Sequence, residues 1–332
     1  MAEYKGVMVF GEAKAGKLAV IATELLGCGR RLANDLGQEV CCLLAGSDIS
    51  GLAREAIAFG ADKVYVVDDP LLKDYQTDSY MSVVEQVAKQ VMPQIMLLGQ
   101  TDIGRDLAPR LAFRLGTAVT TDCIELAIDP ESKLLLQTKP VYGGNAQAIF
   151  TCESYPQIAT VRAKAMSPLE RDESRRGGVI TIKASLDRQT IRTKVLEKVV
   201  EEVKGIKLEE AEVVVGGGRG IGSADGFKQL EELAKILNGA VGASRPPCDN
   251  GWVPTSYQIG LTGRIIAPDL YIAVALSGSS QHMAGCFGAK NIVAINKDPE
   301  ANIFRQAHFG VVGDWKQVLP AFIGKVEELL AK

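Results

Sequence analysis

A series of short polar and glycine-rich clusters between Val213 and Trp315 constrains the fold of this chain most strongly. Most of the clusters follow an apolar run that is typical of a buried parallel strand. In an open α/β sheet, ligands bind outside the carboxyl ends of the strands, where such clusters come together. The spacing therefore predicts a doubly wound domain whose loops contact one long ligand, such as a dinucleotide. The clusters occupy residues 216–222, 242–245, 258–263, 277–282, 296–299 and 313–315.

The first cluster, residues 216–222, does not fit the Gly-x-Gly-x-x-Gly fingerprint in any register. Its glycines would let the backbone pass close to a ligand, and Arg219 adds a permanent charge that suits a phosphate or the edge of a ring. The alternative interpretation is a tight turn with a solvent-facing arginine.

The serine cluster at residues 277–280 follows a clear strand and precedes a helix that is predicted to run to about Gly285. Serine hydroxyls and free backbone N–H groups at a helix N-terminus favour an anion, such as a pyrophosphate, or a flavin carbonyl. A simple N-cap cluster is the alternative. His282 lies just inside this helix beside Gln281 and is predicted to be functional, whereas His308 is predicted to be structural.

Each of the remaining clusters is weak evidence for a ligand site by itself, but all of them are consistent with one site. Ser244 and Arg245 follow one strand-like run, and Asn296 follows another. Asp314 comes after a third, where an acid can bind a ribose or an adenine edge. Together they favour a bound dinucleotide.

Residue types for hydrolysis or metal chemistry are scarce. The chain has two histidines and lacks the His-Glu-x-x-His and Gly-x-Ser-x-Gly motifs, and its seven cysteines include no Cys-x-x-Cys pair. We therefore expect no metal site, and a cofactor would have to supply the chemistry.

Net charge, hydropathy and cysteine content indicate which classes of partner and which cellular compartment to expect. A formal net charge of −3 gives no electrostatic reason to expect nucleic acid or an anionic membrane. No apolar run reaches the ~20 residues that span a bilayer, so no stable membrane insertion is expected. The odd cysteine count and the missing signal segment predict a reduced, cytoplasmic protein.

The first half alternates strands with helices, which predicts a doubly wound domain. Later segments with short turns predict an antiparallel extension or a small β layer. We expect two domains, residues 1–205 without a ligand of their own and residues 206–332 with the ligand site. The predicted strands are 6–10, 40–44, 63–67 and 95–98, the predicted helices are 18–36, 52–59, 80–91 and 102–115, and the predicted extension is 134–139, 146–152 and 157–163.

Residues 11–18 imitate a phosphate-binding loop. They match G-x-x-x-x-G-K-[ST] except at Leu18, where a hydroxyl would hold magnesium. The favoured interpretation is a plain turn between a strand and a helix.

Through motifs in both halves, the chain resembles the alpha subunits of electron transfer flavoproteins, the FixB-like group. The resemblance covers nearly the whole chain. The motifs that carry it are Gly217-Gly218-Arg219-Gly220, Gly242-Ala243-Ser244-Arg245, Gln258-Ile259-Gly260, Thr262-Gly263, Ser277-Gly278, Gln281-His282 and Ala294-Ile295-Asn296-Lys297-Asp298-Pro299, with Gly104-Arg105-Asp106-Leu107-Ala108-Pro109-Arg110-Leu111 in the first half.

The resemblance implies that the C-terminal domain is a Rossmann-like FAD-binding domain. It places Arg245 and His282 at the isoalloxazine ring and Thr262 near the reactive nitrogen, so these three are the expected catalytic residues. The chain departs from the family at Leu261, commonly Gln, and at residues 279–280, commonly small then apolar. The implied FAD-binding residues are Arg219, Ser244, Arg245, Gln258, Ile259, Gly260, Leu261, Thr262, Ser277, Gly278, Ser279, Ser280, Gln281, His282, Asn296, Asp314 and Trp315.

The resemblance also implies a heterodimer with a beta subunit that carries AMP or, in electron-bifurcating members, a second FAD. The expected function is an electron carrier between acyl-CoA dehydrogenase-type or other redox partners, rather than a stand-alone enzyme. A bifurcating, NADH-oxidising member is one alternative. A nucleotide-binding sensor without redox chemistry is the other.

Overall fold

The computed structural model describes residues 3–14, 16–144, 146–197 and 206–331. The chain forms two compact units, Met1–Val141 with Gln147–Val199, and Tyr142–Ala146 with Val200–Lys332. The predicted domain boundary at 205/206 adjoins residues 198–205, which lie outside the described residues, and it stays a prediction.

The first unit is built on a seven-stranded sheet. The strands of the unit, including those of two smaller sheets, are β1 (Val7–Gly11), β2 (Ala13–Lys14), β3 (Lys17–Leu18), β4 (Val40–Gly46), β5 (Lys63–Asp68), β6 (Ile95–Gly99), β7 (Val119–Cys123), β8 (Glu125–Ile128), β9 (Leu135–Val141), β10 (Ala146–Phe150), β11 (Gln157–Val161) and β12 (Gly178–Thr181). The α-helices of the unit are α1 (Val20–Leu36), α2 (Leu52–Ala58), α3 (Thr77–Val91) and α4 (Asp102–Leu115). The seven-stranded sheet has the order β12-β5-β4-β1-β6-β11-β7, with every neighbouring pair parallel.

Alternating residues of the central strands supply two separate cores. In β1, Val7 and Val9 join the core that α1 and α2 cover, whereas Met8 and Phe10 join the core beneath α3 and α4. A strand buried on both faces needs apolar residues at every position, which is why these strands are continuous apolar runs. The four predicted strands and four predicted helices are thus confirmed as elements of a doubly wound unit.

One strand of the predicted antiparallel extension belongs elsewhere. Residues 134–139 and 146–152 contribute β9 and β10 to a three-stranded sheet, in which β8 and β9 are antiparallel. Residues 157–163, however, form β11, which lies parallel between β6 and β7. All five residues of β11 are buried, and this two-sided burial is what an internal parallel strand requires.

Residues 11–18 form a strand end and a hairpin rather than a phosphate loop. The chain leaves β1 at Gly11 and forms the antiparallel pair β2 and β3. Helix α1 then begins at Val20. Ala15, between β2 and β3 in the sequence, lies outside the described residues.

The second unit is built on a five-stranded parallel sheet. Its strands are β13 (Val213–Gly217), β14 (Ala240–Ala243), β15 (Leu270–Val274), β16 (Asn291–Asn296) and β17 (Phe309–Val312), in the spatial order β14-β13-β15-β16-β17. The α-helices of the unit are α5 (Ala224–Ile236), α6 (Arg245–Asp249), α7 (Ser280–Cys286) and α8 (Trp315–Leu330).

This sheet also divides its side chains between two cores. Tyr271 and Ala273 of β15 pack on the side of α7, whereas Ile272 and Val274 pack on the side of α5 and α8. The predicted fold class, two doubly wound and mostly parallel α/β sheets, is therefore confirmed. In the described residues, no helix is long and apolar enough to cross a membrane.

Candidate functional site

The predicted site residues gather at one edge of the five-stranded sheet. They lie at or just after the carboxyl ends of β13 to β17, except for residues 258–262, which precede β15 in the chain. That loop is joined to the end of β14, because Ile259 N donates to Ala243 O at 2.8 Å. One edge therefore carries all the loops that the sequence singled out.

The loops after β13 and β15 meet backbone to backbone. Gly218 N donates to Val274 O at 3.0 Å, and a Cβ atom at Gly218 would lie only 2.1 Å from Ala275 O. Glycine is therefore required for this close approach. The next residue, Arg219, is exposed. Trp315 is buried in α8 and anchors this loop, since its Nε1 donates to Gly220 O at 3.1 Å.

The loop after β14 presents a second exposed cation. Ser244 is buried, and its backbone N donates to Gly217 O at 3.0 Å. Arg245 begins α6 and is exposed, and its Nε lies 3.1 Å from Asp249 Oδ2. Both partners of this ion pair are open to solvent, so the pair holds the guanidinium only weakly.

Residues 258–263 form a polar loop whose backbone is fixed against α7. Gln258 Nε2 donates to Thr262 Oγ1 at 3.0 Å, and Leu261 N donates to Gln281 O at 2.8 Å. Gly260 has a φ of +146°, which few other residues adopt. Leu261, where the family commonly has Gln, directs its side chain to solvent and is 59% exposed.

Exposed hydroxyls surround the start of α7. Ser277, Ser279 and Ser280 are all exposed. The Ser279 side chain makes no capping hydrogen bond to the helix, and Ser280 Oγ lies 3.3 Å from Gln281 Oε1. Gly278 between them has a φ of +75° and packs tightly, since a Cβ atom there would lie 2.3 Å from Ile303 N.

His282 differs from these neighbours because it is buried, with 4% of its surface exposed. Its Nε2 lies 2.8 Å from Tyr271 Oη and its Nδ1 lies 3.1 Å from Ile259 O. Burial lowers the pKa of His282 to about 4, against the opposing effect of the hydrogen bond to Ile259. The ring is therefore neutral at ordinary pH, with both nitrogens engaged inside the unit.

Tyr271 is the residue of this cluster that sequence reasoning missed. It lies in the apolar strand β15, with 0% of its surface exposed. An aromatic residue in such a run is typical of the core, and only the folded register brings its hydroxyl to His282.

The polar side chains of Asn296 and Asp314 are hydrogen-bonded to the backbone of their own unit. Asn296 Nδ2 donates to Leu276 O at 2.7 Å, and Asn296 Oδ1 accepts from Asp298 N at 3.0 Å. The carboxylate of Asp314 accepts from Lys316 N at 3.0 Å and caps α8. In this structure the polar atoms of Asn296 and Asp314 thus stabilise the loops and the helix.

The site as a whole is rich in hydrogen-bond donors. Arg219 and Arg245 are permanent cations, and the exposed serines, Thr262 and Gln281 add hydroxyl and amide groups. Such a set suits a ligand with phosphate charges, sugar hydroxyls and ring carbonyls. Within the described ranges, no three or more His, Cys, Asp and Glu residues are grouped so that they could hold a metal ion.

Comparison with known proteins identifies the ligand class. Residues 7–187 match the family described as "Electron transfer flavoprotein domain". Residues 207–287, which include most of the predicted site, match "Electron transfer flavoprotein FAD-binding domain". The structure and these matches define a flavoprotein of the α/β class whose second unit contains a flavin-binding domain.

Full-length relatives agree with this class. A Thermoanaerobacterium thermosaccharolyticum protein named "Electron transfer flavoprotein subunit alpha" is 46% identical, with 99% of this chain and 100% of that protein covered. "Protein FixB" of Clostridium saccharobutylicum is 42% identical, with 100% and 99% covered. "Acryloyl-CoA reductase electron transfer subunit beta" of Anaerotignum propionicum is 36% identical, with 98% and 96% covered. The chain belongs to the electron transfer flavoprotein alpha-subunit family, as its sequence motifs predicted.

Proposed function

We propose that this chain binds FAD at the carboxyl edge of its five-stranded sheet and carries electrons as a heterodimer with a beta subunit. The observation that supports this most directly is the set of exposed donors on the loops after β13, β14 and β15. Arg219, Arg245 and the serines around α7 reach solvent at one edge, inside the segment that matches the family's FAD-binding domain. A pyrophosphate, a ribityl chain and a flavin ring offer the acceptors that such donors need.

The protein residues would bind and orient the cofactor. We assign Arg245, Thr262 and His282 to the isoalloxazine ring, and the remaining residues of the predicted set to the rest of the FAD. When bound, the FAD supplies the redox chemistry, accepting electrons from one partner and giving them to another. The protein contributes position and charge. Arg245 stays cationic in any environment, and the buried neutral His282 provides a fixed dipole.

The partners follow from the family. We propose a beta subunit that carries AMP, or a second FAD if the complex is electron-bifurcating. The Anaerotignum relative, named as an electron transfer subunit of an acryloyl-CoA reductase, supports acyl-CoA dehydrogenase-type enzymes as redox partners. We place the complex in the cytoplasm, without stable membrane insertion and without nucleic acid.

Co-expression of this chain with the beta subunit from the same genome tests the proposal. Size-exclusion chromatography with light scattering should give the mass of a one-to-one heterodimer, and the visible spectrum should show bound flavin released as FAD. A stable, FAD-loaded monomer of this chain would contradict the heterodimer. A folded heterodimer without flavin absorption would favour the sensor instead.

The ratio of FAD to heterodimer and the reaction with NADH separate the two redox types. One FAD with no NADH oxidation indicates a simple electron carrier. Two FAD molecules and rapid reduction by NADH indicate the bifurcating type.

A further inference from the structure

The hydroxyl of Tyr271 lies in a space that two strands create. Tyr271 in β15 is fully buried, and its Oη is 2.8 Å from His282 Nε2. Gly216 on the neighbouring strand β13 lies against the same hydroxyl, because a Cβ atom there would come within 2.2 Å of Oη. Any larger residue at Gly216 would have to displace the ring. The absence of a side chain at Gly216 thus lets the Tyr271 hydroxyl reach His282 of α7.

The two contacts of the imidazole fix where its proton lies. Ile259 O is a carbonyl and can only accept, so Nδ1, which lies 3.1 Å from it, must carry the hydrogen. A neutral imidazole has one N–H, which leaves Nε2 as an acceptor. The hydroxyl of Tyr271 must then be the donor. Among the described residues, no carboxylate is hydrogen-bonded to the ring to favour a second proton.

We propose that Tyr271 is a positioning residue of the flavin site, which donates its hydroxyl hydrogen to Nε2 of His282 and holds the imidazole in one orientation as the Nδ1–H tautomer. This inference rests on the proposed function, which places His282 at the flavin ring. Its consequence is specific. Because both ring nitrogens are engaged within the unit, His282 acts on the flavin as a fixed neutral dipole and not as an imidazolium or an N–H donor.

The tautomer can be measured directly. The chain contains two histidines, so ¹⁵N-histidine labelling of this chain alone, assembled with an unlabelled beta subunit, gives signals from two residues in a two-bond ¹H–¹⁵N spectrum. The variant His308→Gln identifies which signals belong to His282. We expect His282 to show a protonated Nδ1 and an unprotonated Nε2 at pH 7, with flavin bound. A protonated Nε2, or a doubly protonated ring, would overturn the inference.

The variant Tyr271→Phe tests whether the hydroxyl positions the ring. We expect the Nε2 signal of His282 to move towards that of an unbonded nitrogen. We also expect the equilibrium for flavin reduction to change about threefold or more, which is roughly 28 mV for one electron. An unchanged spectrum or an unchanged potential in the folded variant would show that Tyr271 serves packing alone.

Tyr80→Phe is the matched control. Tyr80 in the first unit is also buried, and its Oη donates to a carbonyl, Leu72 O, at 2.9 Å. Loss of the Tyr80 hydroxyl should lower stability about as much as Tyr271→Phe does. It should leave both the His282 spectrum and the flavin potential unchanged. If Tyr271→Phe does not fold, the tautomer in the unmodified protein still decides the inference. A wild-type heterodimer without flavin would contradict the proposed function. The ¹H–¹⁵N histidine spectrum of that flavin-free heterodimer would still show whether Tyr271 donates to Nε2 of His282.

Discussion

Both units contain a doubly wound parallel sheet, but they differ in the two loops that meet where the strand order changes direction. In each unit the chain crosses to one side of its first strand and then to the other, and ligands bind beside that strand in such sheets. In the first unit, side chains join the two loops there, since Thr101 Oγ1 donates to Glu12 Oε1 at 2.7 Å. In the second unit, the loops meet as bare backbone at Gly218 and Ala275, and Arg219 remains exposed.

This difference shows that the loops, and not the sheet, decide where a ligand site can form. Burial raises the pKa of Glu12 to about 7, although the hydrogen bond from Thr101 opposes this. The first unit therefore places a poorly solvated acid where the second places glycines, serines and two arginines. That the first unit has no ligand of its own stays a prediction, and this contrast supports it.

The largest effect is expected when a side chain is added at a glycine of the second unit whose backbone is in close contact with another segment. In Gly278→Ala, a side chain would meet the backbone of Ile303 at 2.3 Å, at a φ of +75°. We expect the second unit to lose about 3 kcal/mol of stability or more, and bound flavin with it. Gly116→Ala is the control in the first unit, with a φ of +68° and open space around it. Strain alone should cost about 1 kcal/mol there.

Hydrogen exchange with mass spectrometry measures these losses separately for each unit of the heterodimer. Equal losses in the two variants would mean that backbone strain, and not the close contact with Ile303, makes Gly278 necessary.

The next largest effect concerns the two exposed arginines. Reduction adds negative charge to the flavin ring, so a cation beside the ring stabilises the reduced form. A contact worth about 1.5–3 kcal/mol corresponds to roughly 60–130 mV for one electron. We expect Arg245→Ala to lower the first potential by that amount and Arg245→Lys to recover only part of it, because an ammonium lacks the planar contact.

Arg219→Ala is the companion variant, since Arg219 is also exposed and its charge suits a phosphate group. We expect it to weaken FAD binding and to leave the potential of the bound flavin unchanged. Redox titration with measured FAD occupancy distinguishes the two. If Arg245→Ala also changes only the occupancy, Arg245 contacts phosphate and not the ring.

The two units should respond to pH in opposite directions. Burial raises the pKa of Glu24, which is 4% exposed in the first unit, to about 7. Between pH 4.5 and 7 the folded form then binds more protons than the unfolded form, so ionisation of Glu24 lowers stability as the pH rises. For His282, the pKa of about 4 lies below its usual 6.5. The unfolded form binds more protons between pH 4 and 6.5, so stability falls as the pH falls.

Unit-resolved hydrogen exchange at several pH values measures both slopes, to which each single group contributes at most about 1.4 kcal/mol per pH unit. Glu12, whose pKa is also raised to about 7, adds a contribution of the same sign in the first unit. Glu24→Gln should remove its contribution in the first unit, and His282→Gln should do so in the second. Slopes of the same sign, or slopes that the variants do not change, would contradict the assignment to these two buried groups.

The elements of both sheets were predictable where local patterning decides them. The apolar runs of β1, β4, β5 and β6 and the helices between them can be recognised because burial on both faces demands continuous apolar sequence. β7, with Thr120, Thr121 and Asp122, is only half-buried over most of its length and carries no such signal. The placement of β11 depends on pairing with β6 and β7, which lie far away in the chain.

The site was predictable as a set of loops but not as a set of contacts. Parallel strands bring their carboxyl ends to one edge, so clusters after strands could be assigned to one place. The contact between Tyr271 and His282 could not, because it requires Gly216 at a particular register of the neighbouring strand. The bond from Asn296 to Leu276 O likewise depends on how two loops fold against each other.

The smallest expected effect concerns Ala275, whose φ of +53° is in the left-handed region. This conformation costs an L-residue about 1 kcal/mol, and glycine would remove that strain while gaining freedom in the unfolded chain. We expect Ala275→Gly to stabilise the second unit by about 0.5 kcal/mol. Lys133→Gly is the counterpart in the first unit, since Lys133 is exposed and has a φ of +57°, and it should give a similar gain. Denaturation followed by hydrogen exchange, with FAD affinity measured on the same samples, tests both. If Ala275→Gly instead weakens FAD binding while Lys133→Gly stabilises its unit, the strain at Ala275 holds the loops of the flavin site in place.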